Sequence, residues 1–347
     1  MIEERGLESE RALRSVALRR GNLEDEMATF DVMRKAMGLD MNWSHHISAR
    51  SHLRSSPRSS FWIAEDTPRF GRSRVVGYSH SLVRDNVWQL TEFFVLPSYH
   101  GHGIGGALLE KCLQDGDAAG GNSRFILASH HPSAHSLYIR KANCFPRLPM
   151  LLMAGQTQAL NTYHTRNGPI FDTLLAPDVN AIKQFGREGQ PLMAEPIVAD
   201  EKILERFALM DREALGYSRS PEHAHWISQM GGVEGAARLF RYAGSGANNG
   251  KIAGYCYFGE HSSGPALAQE SEDLPRMICH VMGLSRSAIL PVPGRIDPYL
   301  AVPGNNTQIA LWLLQCGWRI IFQYLYMSSE PPGQLERYVC HNPLHFF

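Results

Sequence analysis

The spacing of apolar residues changes period several times along the chain, and each change marks an element. Residues 15–19 alternate as a strand does, and Asn22, followed by Glu24, Asp25 and Glu26, marks the start of a helix running to about Met37. The asparagine can cap the first amides, and the carboxylates suit the positive end of the helix dipole. Three runs rich in β-branched and aromatic residues follow, at 61–64, 75–79 and 87–95, with turn residues between them, which predicts an antiparallel meander. Ile104, Ala107, Leu108 and Cys112 recur at helical spacing, predicting a helix to about Asp117; 124–128 reads as a strand and 133–141 as a further helix. The order is strand, helix, three strands, helix, strand, helix, strand. The basic, serine-rich stretch 50–60 interrupts it and reads as a solvated surface loop, or as one able to close over a substrate.

Beyond 156–190, which has little periodicity and several prolines and glycines, the order repeats in outline. Helical patterns cover 200–215 and 221–240, strands are expected at 252–258, 264–268, 296–302 and 319–327, and helices at 274–284 and 307–315. The expectation is an N-terminal extension over 1–14, a first domain over 15–155, a junction over 156–190 and a second domain over 191–347. Each domain is an α/β (α+β) unit, a mixed and mostly antiparallel sheet flanked by helices.

Composition narrows the functional classes. In 347 residues, 34 basic side chains balance 34 acidic ones, so the global field that draws a protein to nucleic acid or an anionic membrane is absent, and neither partner is expected. The six cysteines lack any Cys-x-x-Cys pair, and no histidine spacing builds a metal site. The first residues lack a signal-peptide profile and no apolar run is long enough to span a bilayer, so a cytoplasmic protein, monomer or homodimer, is expected.

One stretch carries specific chemistry. Val95-Leu96-Pro97-Ser98-Tyr99-His100-Gly101-His102-Gly103-Ile104-Gly105-Gly106 lies between a strand and an amphipathic helix. Glycines let successive backbone amides converge, and the helix start adds a partial positive charge of about +0.5, so a diphosphate can be held with few basic side chains. The same glycines satisfy the dinucleotide fingerprint Gly-x-Gly-x-x-Gly, but that fingerprint expects an acidic residue about 20 positions on, where this chain has Ala128-Ser129-His130. The preceding meander also argues against a parallel strand-helix-strand unit.

The stretch resembles the cofactor motif of the Gcn5-related N-acetyltransferases (GNATs), whose Val-x-Pro and (Arg/Gln)-x-x-Gly-x-(Gly/Ala) order it reproduces, with His100 at the Arg/Gln position. His131-Pro132-Ser133-Ala134-His135-Ser136-Leu137-Tyr138 is similar to the family's Asn-x-x-Ala-x-x-Leu-Tyr, with His131 for the Asn. The resemblance implies two tandem GNAT domains and an acetyl-CoA-dependent N-acetyltransferase acting on an amine of a small molecule or peptide. It places coenzyme A against Phe94, Val95, Leu96, His100, Gly101, His102, Gly103, Ile104, Gly105, Gly106, His131, Ser133, Ser136 and Tyr138. Tyr138 would protonate the leaving sulfur, Glu92 would accept the amine proton, and a backbone amide near 94–96 would meet the developing oxyanion. His80, His130 and His131 stay open as pocket residues or alternative bases. In the second half, 306–318 resembles the family's late helix, with Leu313 at the Tyr position, and Gln269-Glu270-Ser271-Glu272-Asp273 stands where the first half has glycines. Three carboxylates there would repel a diphosphate, so the second domain is expected to be a degenerate scaffold. A non-catalytic acyl-CoA sensor is the alternative.

Overall fold

The computed structural model describes residues 16–38, 52–68, 71–155, 184–187, 190–198, 200–230, 237–258, 263–284 and 299–339. The expected extension 1–14 and most of the junction, 156–183, lie outside the described residues. The chain forms two compact units: residues 1–145 with 327–330, and 146–326 with 331–347.

In the first unit β1 (Val16–Arg20), β2 (Ser59–Asp66), β3 (Arg74–Arg84) and β4 (Val87–Val95) pair antiparallel in that order. β5 (Ser123–Ala128) adds parallel to β4. Helix α1 (Glu26–Met37) follows a 3-10 turn closed by a capping box: Asn22 Oδ1 accepts from the Glu24 amide at 2.8 Å and Asp25 accepts from the Asn22 amide at 2.9 Å. Gly38, in the left-handed region, ends it. Phe30 and Met33 of α1 pack on Phe61, Ile63 and Tyr78 of one sheet face. On the other face Ile104 and Leu108 of α2 (Ile104–Ala118) pack on Ala64 and Val76. The close seat of α2 needs Gly116, where a Cβ would stand 2.2 Å from the Trp88 ring. Helix α3 (Pro132–Ala142) completes the unit.

β6 (Phe145–Ala154) counts almost wholly with the second unit. That unit also holds β7 (Gln184–Arg187), β8 (Gln190–Pro196), α4 (Glu201–Leu215), α5 (Ser220–Met230), β9 (Arg238–Tyr242), β10 (Ile252–Phe258), β11 (Ser263–Ala268) and α6 (Leu274–Leu284). β12 (Tyr299–Pro303), α7 (Thr307–Gln315), most of β13 (Arg319–Ser328) and β14 (Tyr338–Val339) follow. Its main sheet is antiparallel in the order β14-β11-β10-β9-β8-β7, while β12 pairs antiparallel with β6 from Tyr299↔Ala154 to Pro303↔Met150. Residues 327–330 count with the first unit, where the Ser329 amide donates to the Arg124 carbonyl at 2.9 Å. Each unit therefore contains chain from both halves of the sequence.

The tandem arrangement of mixed, mostly antiparallel sheets flanked by helices is as expected, and three local readings change. Residues 238–240, expected as the end of a helix, belong to the strand β9; Leu239 and Phe240 are both buried, so no polar alternation marks it, and pairing to β8 and β10 fixes it. β8 is hidden in the sequence by Pro191 and Pro196 at its ends. The third is the stretch 50–60, whose described part, from His52, is only partly a solvated loop: Ser55, Pro57 and Arg58 are exposed, but the Arg54 side chain is buried and Ser59 and Ser60 open β2.

Candidate functional site

β4 and β5 pair only from Val87↔Ser123 to Leu90↔Ile126, while β4 continues to Val95. Past Leu90 the two strands part. Across β3 and β4, His80 faces Glu92 and Ser81 faces Leu90, so Thr91 is a bulge at the point of parting. Antiparallel ladders alternate, and the Leu96 amide donates to the Val76 carbonyl at 2.8 Å, so Leu96 and Phe94 turn their amides to β3. Phe93 and Val95 turn theirs to the opening. Of the expected oxyanion donors at 94–96, Val95 alone offers a free backbone direction; the Leu96 amide is committed.

The opening leads to the glycine loop. Gly101 and Gly103 have φ of 81° and 80°, a region that side chains rarely adopt. Gly103 is the N-cap of α2 and supplies no side-chain cap, and the first intrahelical bond there runs from the Ala107 amide to the Gly103 carbonyl at 3.0 Å. The amides of Ile104, Gly105 and Gly106 thus precede the first donor of the helical ladder and have no acceptor within the helix, which is the arrangement that binds anions. Gly105 has a steric reason as well, since a Cβ would lie 3.2 Å from Phe93 Cζ; at Gly106 the nearest atoms, 3.8 Å away, would make ordinary contacts. His100 is exposed, its Nε2 donates to the Val95 carbonyl at 2.9 Å, and its ring meets that of His131 edge-on at 6.0 Å. His102 is half-buried in the loop.

Tyr138 is buried on α3 with its ring 5.9 Å from that of Phe93, beside the parted strands. Burial pushes its hydroxyl pKa well up, so it stays protonated near neutrality. Ser133 and Ser136 are exposed on the same helix; the Ser136 hydroxyl donates back to the Pro132 carbonyl at 3.0 Å. His130 is exposed, whereas His80 is buried on β3 and bonded to Thr91 Oγ1. Among the described residues no group of three or more His, Cys, Asp or Glu could hold a metal ion.

Glu92 lies on the α1 side of the sheet within a charged cluster that local patterns do not announce. Arg54, 2% exposed at its side chain, reaches Glu92 Oε2 at 2.9 Å and Glu26 Oε1 at 2.5 Å, and its guanidinium lies 4.1 Å from the centre of the Phe61 ring. Tyr78 Oη donates to Glu92 Oε1 at 3.2 Å. Arg54 and Phe61 also line a pocket of about 350 Å³ with Arg20, Asn22 and Ser59. The structure gathers Phe93, Val95, the glycine loop and Tyr138 about one opening, and sets Glu92 on the α1 face of the strand that borders it.

In the second unit the turn before α6 is acidic, with Glu270 and Glu272 flanking Ser271 and a buried Asp273 that accepts from Tyr242 Oη at 3.3 Å. The rival dinucleotide reading loses one of its counterarguments, since β4, α2 and β5 do form a parallel crossover. It still lacks an acidic residue after β5, where Ser129, His130 and His131 follow.

Comparison with known proteins agrees with this geometry. Residues 26–143 match the profile of the acetyltransferase (GNAT) family. No curated protein sequence matches significantly. Among solved structures, a Pyrococcus horikoshii protein provisionally assigned as an acetyltransferase superposes with a TM-score of 0.62 at 12% identity, covering 93% of each chain. A GCN5-related N-acetyltransferase from Sphaerobacter thermophilus gives 0.57 at 14% identity, over 92% of this chain and 97% of that one. A tandem GNAT protein from the clavulanic acid biosynthesis pathway gives 0.54 at 10% identity, over 91% and 99%.

Proposed function

We propose, from the match of residues 26–143 to the acetyltransferase (GNAT) family, that the chain transfers acyl groups from acyl-CoA as a member of that family, and specifically that it is an acetyl-CoA-dependent N-acetyltransferase acting on an amine of a small molecule or peptide. The observation that carries the proposal is the parting of β5 from β4 past Leu90, which turns the Phe93 and Val95 amides to the opening, beside an uncapped helix start. A pantetheine arm can pair with the outward amides and carbonyls of that edge while the amides of Ile104 to Gly106 hold the diphosphate. Coenzyme A would bring the acyl group as an activated thioester. In this reading the Val95 amide stabilises charge on the acyl oxygen, Tyr138 holds a proton for the departing sulfur, and Glu92, directly or through water, takes the proton of the amine. Arg54 and Tyr78 fix the carboxylate of Glu92 in place.

The Arg54 ion pair is also the observation that favours a second reading, an acyl-CoA-binding protein without turnover, because the guanidinium and the Tyr78 hydroxyl already occupy the two carboxylate oxygens that would have to meet an amine or a water. The test is thiol release from acetyl-CoA over a panel of amines, with calorimetric titration of coenzyme A beside it. Turnover with an amine supports the enzyme, tight binding without turnover the sensor, and no binding removes both. A Gly103→Val chain should lose binding in either case while keeping its fold, because valine resists a φ of 80° and its side chain would enter the open space in front of the helix.

A further inference from the structure

The two units can be aligned residue by residue through the strand before each acidic or glycine turn. Val76-Gly77-Tyr78 of β3 corresponds to Ala253-Gly254-Tyr255 of β10: Gly77 faces Val95 as Gly254 faces Ala268, and Tyr78 faces Phe94 as Tyr255 faces Leu267. The ladder phase is the same, since the Gln269 amide donates to the Ala253 carbonyl at 2.7 Å as that of Leu96 does to Val76. Ala266 and Ala268 therefore correspond to Phe93 and Val95, and their backbone groups turn away from β10 to the equivalent edge.

That edge is filled. β14 pairs with it antiparallel, Val339 opposite Ala266 and Tyr338 opposite Leu267, and the side-chain amide of Asn306, the N-cap of α7, donates to the Tyr338 carbonyl at 3.3 Å. Arg337 precedes β14 and donates to the Gln269 carbonyl at 2.9 Å. The Tyr338 side chain enters the counterpart of the Arg54 cluster: its hydroxyl accepts from Arg219 Nη1 at 2.7 Å, beside Asp211 and Tyr255, and all four residues are fully buried. Pro265 precedes Ala266 in the chain as Glu92 precedes Phe93, so no carboxylate remains on that strand position.

We propose that the second unit keeps a strand-receiving slot where the first has its acyl-CoA cleft, and that this slot is a peptide site whose ligand is the chain's own segment 337–339. The backbone of the segment takes the edge that the pantetheine arm would take, and Tyr338 takes the room of the acceptor. The alignment rests on the acyl-CoA reading of the first unit; the filled slot does not.

Hydrogen exchange on the full chain tests it. Amides of 264–268 and 338–339 should be protected without ligand and unchanged by saturating coenzyme A, while 91–106 gain protection. A full-length Val339→Pro chain loses one ladder bond to Ala266 and should then bind a labelled synthetic peptide of residues 334–347, which the unaltered chain does not bind. A Tyr338→Ala version of that peptide should bind about tenfold or more weakly. Coenzyme A protection at 264–274, two equivalents of coenzyme A per chain, or peptide binding equal in both chains would overturn the proposal. Protection at 338–339 with none gained at 91–106 would support the slot and remove the acyl-CoA reading instead. Should Val339→Pro not fold, the exchange pattern of the unaltered chain decides.

Discussion

Tyr138 shows how one side chain is prepared by its surroundings. It sits on α3 against Phe93, and burial raises its pKa, so at neutral pH its hydroxyl is a donor and not a phenolate. A Tyr138→Phe substitution keeps the ring packing and deletes only the hydroxyl. The expected outcome is a fall in kcat of about 10²-fold with the KM for acetyl-CoA changed little. Steady-state kinetics with a working amine reads this directly; an equal loss in binding would mean that the tyrosine only shapes the cleft. Tyr138 and the glycines were legible in the sequence because their signals are local, a helix position following a loop of fixed spacing. Arg54 was not, because its carboxylate partners lie 28 residues before it and 38 after it, and nothing in a serine-rich stretch says that one arginine turns inward. A Gly-Tyr pair in two strand runs, at Gly77-Tyr78 and Gly254-Tyr255, was the one available hint that both halves build a polar cluster around a strand tyrosine.

Those clusters join helices to strands through buried charge. In the first unit Arg54 links α1, through Glu26, to β4, through Glu92; in the second Arg219 links α4, through Asp211, to β10 and β14, through Tyr255 and Tyr338. Arg219 is held cationic despite its burial by Asp211, with which it makes two bonds at 3.0 Å. Removing one member of a buried pair leaves the other charge stranded, which costs about 3–5 kcal/mol. Arg54→Met should therefore lower urea stability by that order, and the added change Glu26→Gln should recover part of the loss. If Arg54→Met is no less stable than the parent, the pair is open to water and no such clamp exists. The same scale explains which strands the sequence revealed. Runs bounded by turns, such as β3 and β4, were plain, while β9 owes its state to β8 and β10 on its two sides and the two-residue β14 to its pairing with β11.

For the whole molecule, acidic and basic side chains balance at neutral pH and the sixteen histidines are the groups that mild acidification charges, so the buried ones among them bear most directly on stability. Burial lowers the pKa of His223, which bonds Asp211 and Tyr257 Oη at 2.9 Å each, and burial with the nearby Arg238 lowers that of His280 to about 4. Both lie below the value of about 6.5 that an unfolded histidine has. As pH falls through 6.5 the unfolded chain takes up protons that the folded chain refuses, so stability is present above that pH and declines below it, down to the folded value. Asp211 works in another window: the Arg219 charge holds its carboxyl below the ordinary range despite burial, so its contribution is lost only in stronger acid. Between pH 7 and pH 5 the excluded imidazole of His280 should remove about 2 kcal/mol, and His223 acts in the same direction. Urea unfolding at pH 7, 6 and 5 should show that decline, and His280→Gln should flatten the slope by about one such share because glutamine has no proton to gain. Parallel curves for the two chains would show that His280 titrates alike folded and unfolded, and the acid response would then have to come from His223 and the cluster around it.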